Sequence, residues 1–292
     1  MQISPFRSPL ARIALAAVLI GSLFAVPALA SGSGSVDKAA AALVPAKIKA
    51  KGTLVVASDA EYAPNEFIGS DGKTVIGMDA DLSAAIFAKL GLKTKIVNAV
   101  FATIIPGLTS GKFDVGISSF TDTKVREKQV NFVDYFKAGT SFFTKASGGP
   151  KITGLASLCG LSVSVEAGTT EETDAQGQAK KCGTKKLTVL SYPTQAAANL
   201  ALSSSRARVS MADSPVAAYQ VKQSHGAFKL AGQSYGVAPY GIAVPKSAGT
   251  LDKAILLALK DLVKDGTYKS ILNKWGVASG ADSSPALNGA IS

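Results

Sequence analysis

GKFDVGISSFTDTKVREKQVNFVDYF, residues 111–136, runs from an apolar strand into a cluster of hydroxyls and then into a short helix carrying one arginine. Phe113, Val115 and Ile117 alternate as the inward face of a strand does, and Ser118, Ser119 and Thr121 follow where that strand should end. The polar groups therefore gather at a strand's carboxyl end. Asp122 or Thr123 can cap a helix reaching 125–128, which returns Arg126 to within about one 5.4 Å turn of the hydroxyls. This layout suits a small anion. A guanidinium offers a planar fork for a carboxylate or phosphate, and hydroxyls and helix-end amides add neutral donors beside it. An arginine in a TKVREK run equally fits a solvated helix face, so the neighbouring segments decide between the two.

Outward from this stretch the same alternation repeats. Residues 53–57 (TLVVA) form a continuous apolar strand of the kind buried on both faces, and Asp59 and Tyr62 follow in a polar loop that ends at Pro64. Residues 78–90 carry Leu82, Ile86 and Leu90 on one helical stripe, with Gly91 placed as the stop. A strand at 95–97, a short helix at 103–108 and the strand at 113–117 complete the first series. A Gly/Pro break at 147–150 marks a boundary. Beyond it the series restarts with strands at 161–165, 187–190 and 209–211. Helices open at 168–172, at 194–203 and after Asp213-Ser214-Pro215, where a proline removes no N–H that the helix needs. Residues 240–244 form a further strand, and 251–263 an amphipathic helix with Leu251, Ile255, Leu259 and Leu262 on its stripe. Strands alternating with helices predict an α/β fold with parallel pairing, built as two lobes. Asp59, Tyr62, Phe101 and Ser118 fall at strand carboxyl ends, where such folds bind ligands.

Residues 1–30 have the form of a signal peptide: Arg7 and Arg12 precede an apolar run over 13–26, and Ala28-Leu29-Ala30 is a small-x-small cleavage pattern. The run is short for a spanning helix, which needs about 20 residues, so a retained anchor is the lesser alternative. Residues 31–50 are expected to be a flexible leader and 279–292 a flexible tail. Removing the signal takes two arginines and no acids, and the formal charge falls from +11 to +9. The lysines are dispersed and no basic run is interleaved with aromatics, so nucleic acid is not an expected partner. The charge fits solubility or attraction to an anionic envelope surface. Cys159 and Cys182, in an exported chain, point to a disulfide worth roughly 3 kcal/mol in the chain-entropy account. The single histidine, His225, sits in a KQSHGAF turn, which argues against a zinc site or a Ser-His-Asp triad. No cofactor is expected.

Six stretches occur in a telling order: SDAEYAP from 58, GMDADLSAAIFAKLG from 77, residues 101–136, VEAGTTEE from 165, MADSPVAAYQVKQ from 211 and YGIAVPK from 240. Together they resemble the polar amino-acid-binding branch of the bacterial solute-binding proteins that serve ABC importers, over residues 50–277. The resemblance implies two α/β lobes joined by crossing strands near 142–146 and 234–242, with the amino acid bound in the cleft between them. Lobe 1 would then be 51–144 together with 237–278, and lobe 2 would be 145–236. A free amino acid carries a carboxylate and an ammonium on one carbon, and a site that strips water from both must supply the opposite charges. The resemblance gives Arg126 the carboxylate, with hydroxyl and backbone contacts from Ser118, Ser119 and Thr121. Thr170, with Thr169 beside it, presents a helix start to the same group. Asp213 matches the acid for the ammonium, although a plain helix cap explains it too. Tyr62 and Phe101 match rings that sandwich the ligand, with core packing as the alternative for Phe101. Asp59 matches an acid that meets basic or amide side chains, so glutamine or a cationic amino acid is the expected cargo. Two positions depart from the family: Asn65, expected to alter the pocket rim, and Ser210, expected to tune a strand end.

The function so implied is a periplasmic, monomeric binding protein that closes about a hinge on a free amino acid and is then read by a membrane permease. The rival is an exported enzyme on the same scaffold, similar to a cyclohexadienyl dehydratase, with Glu166 or Glu171 as general acid; neither shows a partner in the sequence. A sensor half of a signalling system is a third possibility, disfavoured because no membrane segment follows the lobes.

Overall fold

The computed structural model describes residues 1–2 and 35–291. The signal expected over 1–30 falls, apart from its first two residues, outside the described residues. The body begins with two short helices, α1 (Lys38–Ala42) and α2 (Ala46–Lys51), and continues into strand β1 (Thr53–Ser58). A small antiparallel sheet of β2 (Glu61–Tyr62), β3 (Glu66–Ile68) and β4 (Val75–Ile76) follows, then α3 (Met78–Lys89), β5 (Lys93–Asn98), α4 (Phe101–Thr109), β6 (Val115–Gly116) and α5 (Lys124–Glu127). The long strand β7 (Val130–Lys145) leads into β8 (Ser162–Glu166), α6 (Thr170–Lys181), β9 (Thr188–Tyr192), α7 (Gln195–Ser203), β10 (Val209–Asp213) and α8 (Ser214–Gln223). A second long strand, β11 (Phe228–Pro245), returns to the first half and is followed by α9 (Leu251–Lys264) and α10 (Thr267–Trp275).

The main sheet has the order β5-β1-β6-β11-β7-β10-β8-β9. Its two ends are parallel, β5 with β1 with β6 and β10 with β8 with β9, and the antiparallel pair β7/β11 joins them. Residues 130–138 of β7 pair with 238–245 of β11, and residues 142–145 pair with 228–231. Between these runs the register slips at Ala231/Tyr235 and again at Tyr235/Ala238. Gly139 stands opposite the slip, and a Cβ there would lie 2.5 Å from the Tyr235 carbonyl oxygen. The two backbones can approach this closely only with a glycine between them.

The helical stripes face inward as the spacing requires: Leu82, Ile86, Leu251, Ile255, Leu259 and Leu262 are all buried. With Val56, Tyr135 and Ile242 they form the core of the first half, while Phe142, Val163, Val165 and Met211 centre that of the second. Cys159 and Cys182 are joined in a disulfide, with Cα atoms 5.3 Å apart.

Both ends depart from the expected flexibility. Within the expected leader, Asp37 caps α1 by accepting hydrogen bonds from the Ala39 and Ala40 amides. Ala40 and Val44 are buried, and the Thr250 hydroxyl donates to the Leu43 carbonyl at 2.5 Å. Alanine-rich composition fits a linker by itself, but small residues are also what allow α1 to lie close against α9. The tail is strapped to β7: the Phe132 amide donates to Asn288 Oδ1 at 2.7 Å and the Gly289 amide to Asp134 Oδ2 at 3.0 Å. Among the described residues no helix is long and apolar enough to cross a membrane.

Candidate functional site

One cavity, about 20 Å³ and so no larger than a water, lies where the two halves meet; Tyr62, Phe101, Ser119, Thr121, Arg126, Thr169, Thr170, Glu171, Gln195, Ala212, Asp213 and Val216 line it. Eight residues expected from sequence therefore share a single space, three of them more than a hundred residues from Tyr62. The halves touch around it. The Tyr62 hydroxyl donates to Glu166 Oε2 at 2.6 Å, the Ala196 amide to Glu61 Oε2 at 2.8 Å, and Arg126 Nη2 to the Gly168 carbonyl at 2.9 Å. Gly168 has φ +82°, and a Cβ there would come within 3.1 Å of Ala102 Cβ. In this arrangement the cavity is too small for a ligand larger than water.

Arg126 is presented by the one-turn α5, whose cap is Thr123 rather than Asp122: the Thr123 Oγ1 accepts from the Arg126 amide at 3.2 Å. The guanidinium packs over Phe101 and Phe120, 5.3 and 5.6 Å from their ring centres, and its Nη1 donates to the Thr121 carbonyl at 2.8 Å. Two of its donors are thus used on backbone carbonyls, one in each half, and the others remain for a ligand. Burial pulls the guanidinium pKa down from its ordinary value, while the charges of Glu171 and Asp213 act against that fall.

The opposing wall carries acids. Asp213 begins α8 but its side chain caps nothing, so the plain-cap explanation fails. Burial, and then the charge of Glu171, push its carboxyl well above the usual range. Glu171 accepts from the Thr140 hydroxyl at 2.6 Å and the Thr170 hydroxyl at 3.2 Å. The cap of α6 is Thr169, whose Oγ1 accepts from the Glu172 amide, leaving the Thr170 N–H at the helix start beside the cavity. Two acids next to one guanidinium suit a ligand bearing both an anion and a cation.

Ser118 and Asp59 stand one layer back. The Ser118 Oγ accepts from the Asp59 amide at 2.8 Å, and Asp59 Oδ2 accepts from the Phe101 amide at 2.8 Å, which orients the Phe101 ring at the start of α4. Asp59 sits against Glu166, and burial raises its carboxyl to about 6. Ser119 holds φ +47°, an uncommon conformation for a residue with a side chain. It is fixed from below: its amide donates to Asp79 Oδ2, its hydroxyl donates to Glu66 Oε2, and Asn65 Nδ2 donates to its Oγ. Asn65 is fully buried in this support, so it does not form the rim expected for it. Ser210 is buried too, its hydroxyl donating to the Ser164 carbonyl of the next strand.

Sequence reasoning passed over Gln195, Ala212 and Val216, and gave Glu166 and Glu171 only a doubtful catalytic role without partners. The structure supplies those partners: Tyr62 and Asp59 for Glu166, Thr140 and Thr170 for Glu171. The GTTEE run held the signal for Glu171, since a helix's first turn faces whatever the helix start faces.

Residues 54–278 match the family described as bacterial extracellular solute-binding proteins, family 3. The chain is 33% identical over 243 residues to an arginine-binding protein of Corynebacterium glutamicum, covering 82% of this chain and 79% of that one. It is 30% identical over 204 residues to an ABC transporter glutamine-binding protein of Bacillus subtilis, covering 68% and 72%. An ancestral arginine-binding protein bound to arginine superimposes with a TM-score of 0.73 at 38% identity, covering 77% of this chain and 98% of that one. With two α/β halves on a shared sheet, and a family match over most of its length, this chain belongs to the family 3 bacterial extracellular solute-binding proteins.

Proposed function

We propose that this protein captures one free polar amino acid, glutamine or a basic one, outside the cytoplasm, and delivers it to the permease of an ABC importer. The observation that carries the reading is the pair of opposed charges on one cavity: Arg126 from the first half, Asp213 and Glu171 from the second. Arg126 takes the α-carboxylate, together with the hydroxyls of Ser119 and Thr121 and the start of α6. Asp213 and Glu171 take the ammonium. Tyr62 and Phe101, edge to face with ring centres 5.9 Å apart, flank the ligand's carbon chain. Closing about the Gly139 crossing completes the site, because on the cavity wall the first half carries the cation and the second the acids. Arginine and glutamine, which the relatives' names carry, both fit this grip.

The protein acts as a monomeric binder in this reading and leaves its ligand chemically unchanged. A thermal-shift series of the twenty amino acids against the mature chain tests it. A ligand at one hundred times its dissociation constant adds about 2.7 kcal/mol of stability, easily seen as a raised melting temperature. Recovery of the stabilising amino acid intact after incubation supports a binder, whereas its conversion would support the dehydratase-like enzyme. No stabilisation by any amino acid would sink the reading.

A further inference from the structure

Beyond the family match, which ends at residue 278, the chain returns across β7 as a strap, pairing Ala281 with Phe136 and Leu287 with Val133. The Asp134 amide donates to the Ala286 carbonyl at 2.9 Å and the Asn288 amide to the Phe132 carbonyl at 3.0 Å. At its end the strap meets acids. The Gly289 amide donates to Asp134 Oδ2, and the Ala290 amide donates to Glu127 Oε1 at 3.3 Å. A Cβ on Gly289 would overlap Asp134 Oδ2, so the strap lies directly on that carboxyl. Beside it stands Asp122, which follows Thr121 of the cavity wall, and the two carboxyls are within hydrogen-bonding reach of each other. Asp122 is 0% exposed and Asp134 2%, and three of their four oxygens, both of Asp122 and Oδ1 of Asp134, meet no donor. The nearby cations are engaged elsewhere: Lys124 pairs with Glu127, Lys137 with Asp282, and Arg126 donates to the Thr121 and Gly168 carbonyls. Two carboxylates buried in contact without a cation repel each other, so the pair holds one proton. Burial, then the charge of Asp134, raise Asp122 to about 7.

The helix that presents Arg126, α5, has little of its own to hold it. It is a single turn and buries none of its residues, so its place depends on links at its two ends. The acid pair stands one residue before its cap, Thr123, and the strap grips Glu127 at its exit. We propose that the strap over 286–290 is a latch that positions Arg126, locked while Asp122 and Asp134 share a proton and released when both ionise. Ionised, the two carboxylates need water, and water reaches Asp134 once the strap lifts from it. The strap then lets go of Glu127, and α5 no longer holds its guanidinium at the cavity. The inference rests on the reading of the cleft as an amino-acid site and adds a control on it from outside the cleft. The charges of Glu127 and Asp282 also favour keeping the proton, and that of Lys124 opposes it. Because the latched form keeps a proton that the released form gives up, latching is favoured at low pH and is lost as pH rises through about 7.

Titration calorimetry with L-arginine and L-glutamine, near pH 6 and near pH 8, tests the latch in wild type, Asp122→Asn, Asp134→Asn and Asn288→Ala. The wild type is expected to bind about tenfold less tightly at the higher pH. Either amide substitution donates a hydrogen bond to the remaining carboxylate without a shared proton, so the fall should shrink to about threefold or less. Asn288→Ala removes the acceptor of the Phe132 amide and should weaken binding near pH 6 by about threefold or more, toward the wild-type value near pH 8. Hydrogen exchange without ligand, near pH 6, should show the amides of 124–129 and of 287–290 exchanging faster together in that variant. A wild type equally tight at both pH values overturns the latch. So does the same fall in wild type and the amide variants, or an affinity unchanged in Asn288→Ala, and in each case the amino-acid site stands. If one amide variant does not fold, the other reports the same slope. Should the wild type bind neither amino acid, the reading of the cleft fails and exchange judges the latch alone: unaltered protection of 124–129 in Asn288→Ala overturns it, and a joint loss supports it.

Discussion

Arg126 shows how much a single side chain carries here. Its planar group is stacked on Phe101 and Phe120 and donates to a carbonyl in each half, so charge, stacking and closure converge on it. Arg126→Ala and Asp213→Ala are each expected to weaken amino-acid binding by about 2–5 kcal/mol, because either leaves an opposite charge buried without its partner. Arg126→Lys should be nearly as damaging, since a point charge cannot stack or fork. Titration calorimetry reads both effects, and an affinity unchanged by any of these substitutions takes that residue out of the site. Ser119 illustrates what a sequence conceals at this scale. Its strained backbone and the buried layer beneath it, Asn65, Glu66 and Asp79, depend on contacts with segments forty and more residues away.

Among the elements, the long strands β7 and β11 join the two halves of the sheet. Their crossing is held together by a close approach at Gly139, and Gly139→Ala would place a methyl 2.5 Å from the Tyr235 carbonyl oxygen. The backbones must part, and we expect a loss of about 1–3 kcal/mol in stability, with a melting temperature lower by several degrees. A variant that melts as wild type does would show that the crossing is looser than its geometry indicates. The disulfide between Cys159 and Cys182 ties the segment before β8 to the end of α6. Replacing both cysteines by serine should lower stability by roughly 3 kcal/mol in chemical denaturation, the loop-closure value for a bridge of this span. The helices α3 and α9 were legible from their stripes because an apolar face repeats every turn. The full lengths of β7 and β11 were not, because each changes partners midway and no local pattern records a partner. The alanine-rich α1 has no such signature, because its helical state is decided by docking on α9.

Across the whole molecule, buried acids set the response to pH. Burial holds Asp59, Asp79 and Asp134 near 6 and Asp122 near 7, where the charge of Asp134 adds to the effect, all against an ordinary value of 3.8. Glu166 is held near 9. The folded state therefore keeps protons that the unfolded chain gives up. The stability these groups contribute is complete below about pH 4 and is lost as pH rises through the folded values. Asp71 acts in the opposite sense: hydrogen bonds from Thr74 and Lys73 hold it near 2, so its contribution is present above 3.8 and lost as pH falls toward 2. The ligand-free protein should melt higher near pH 5 than near pH 8, and Asp122→Asn should flatten part of that slope. Thermal melts across this range decide the matter, and a melting temperature that climbs with pH in the wild type would contradict it. The alternation of strands and helices and the cysteine pair follow from local order along the chain, because periodicity, caps and motif spacing are local properties. Which acids face one another, that Asn65 lies beneath the site rather than on its rim, and that the two ends fold back onto the body were decided by tertiary structure alone. Those facts arise when two halves of one sheet close on each other, bringing together residues whose distance along the chain says nothing of their distance in space.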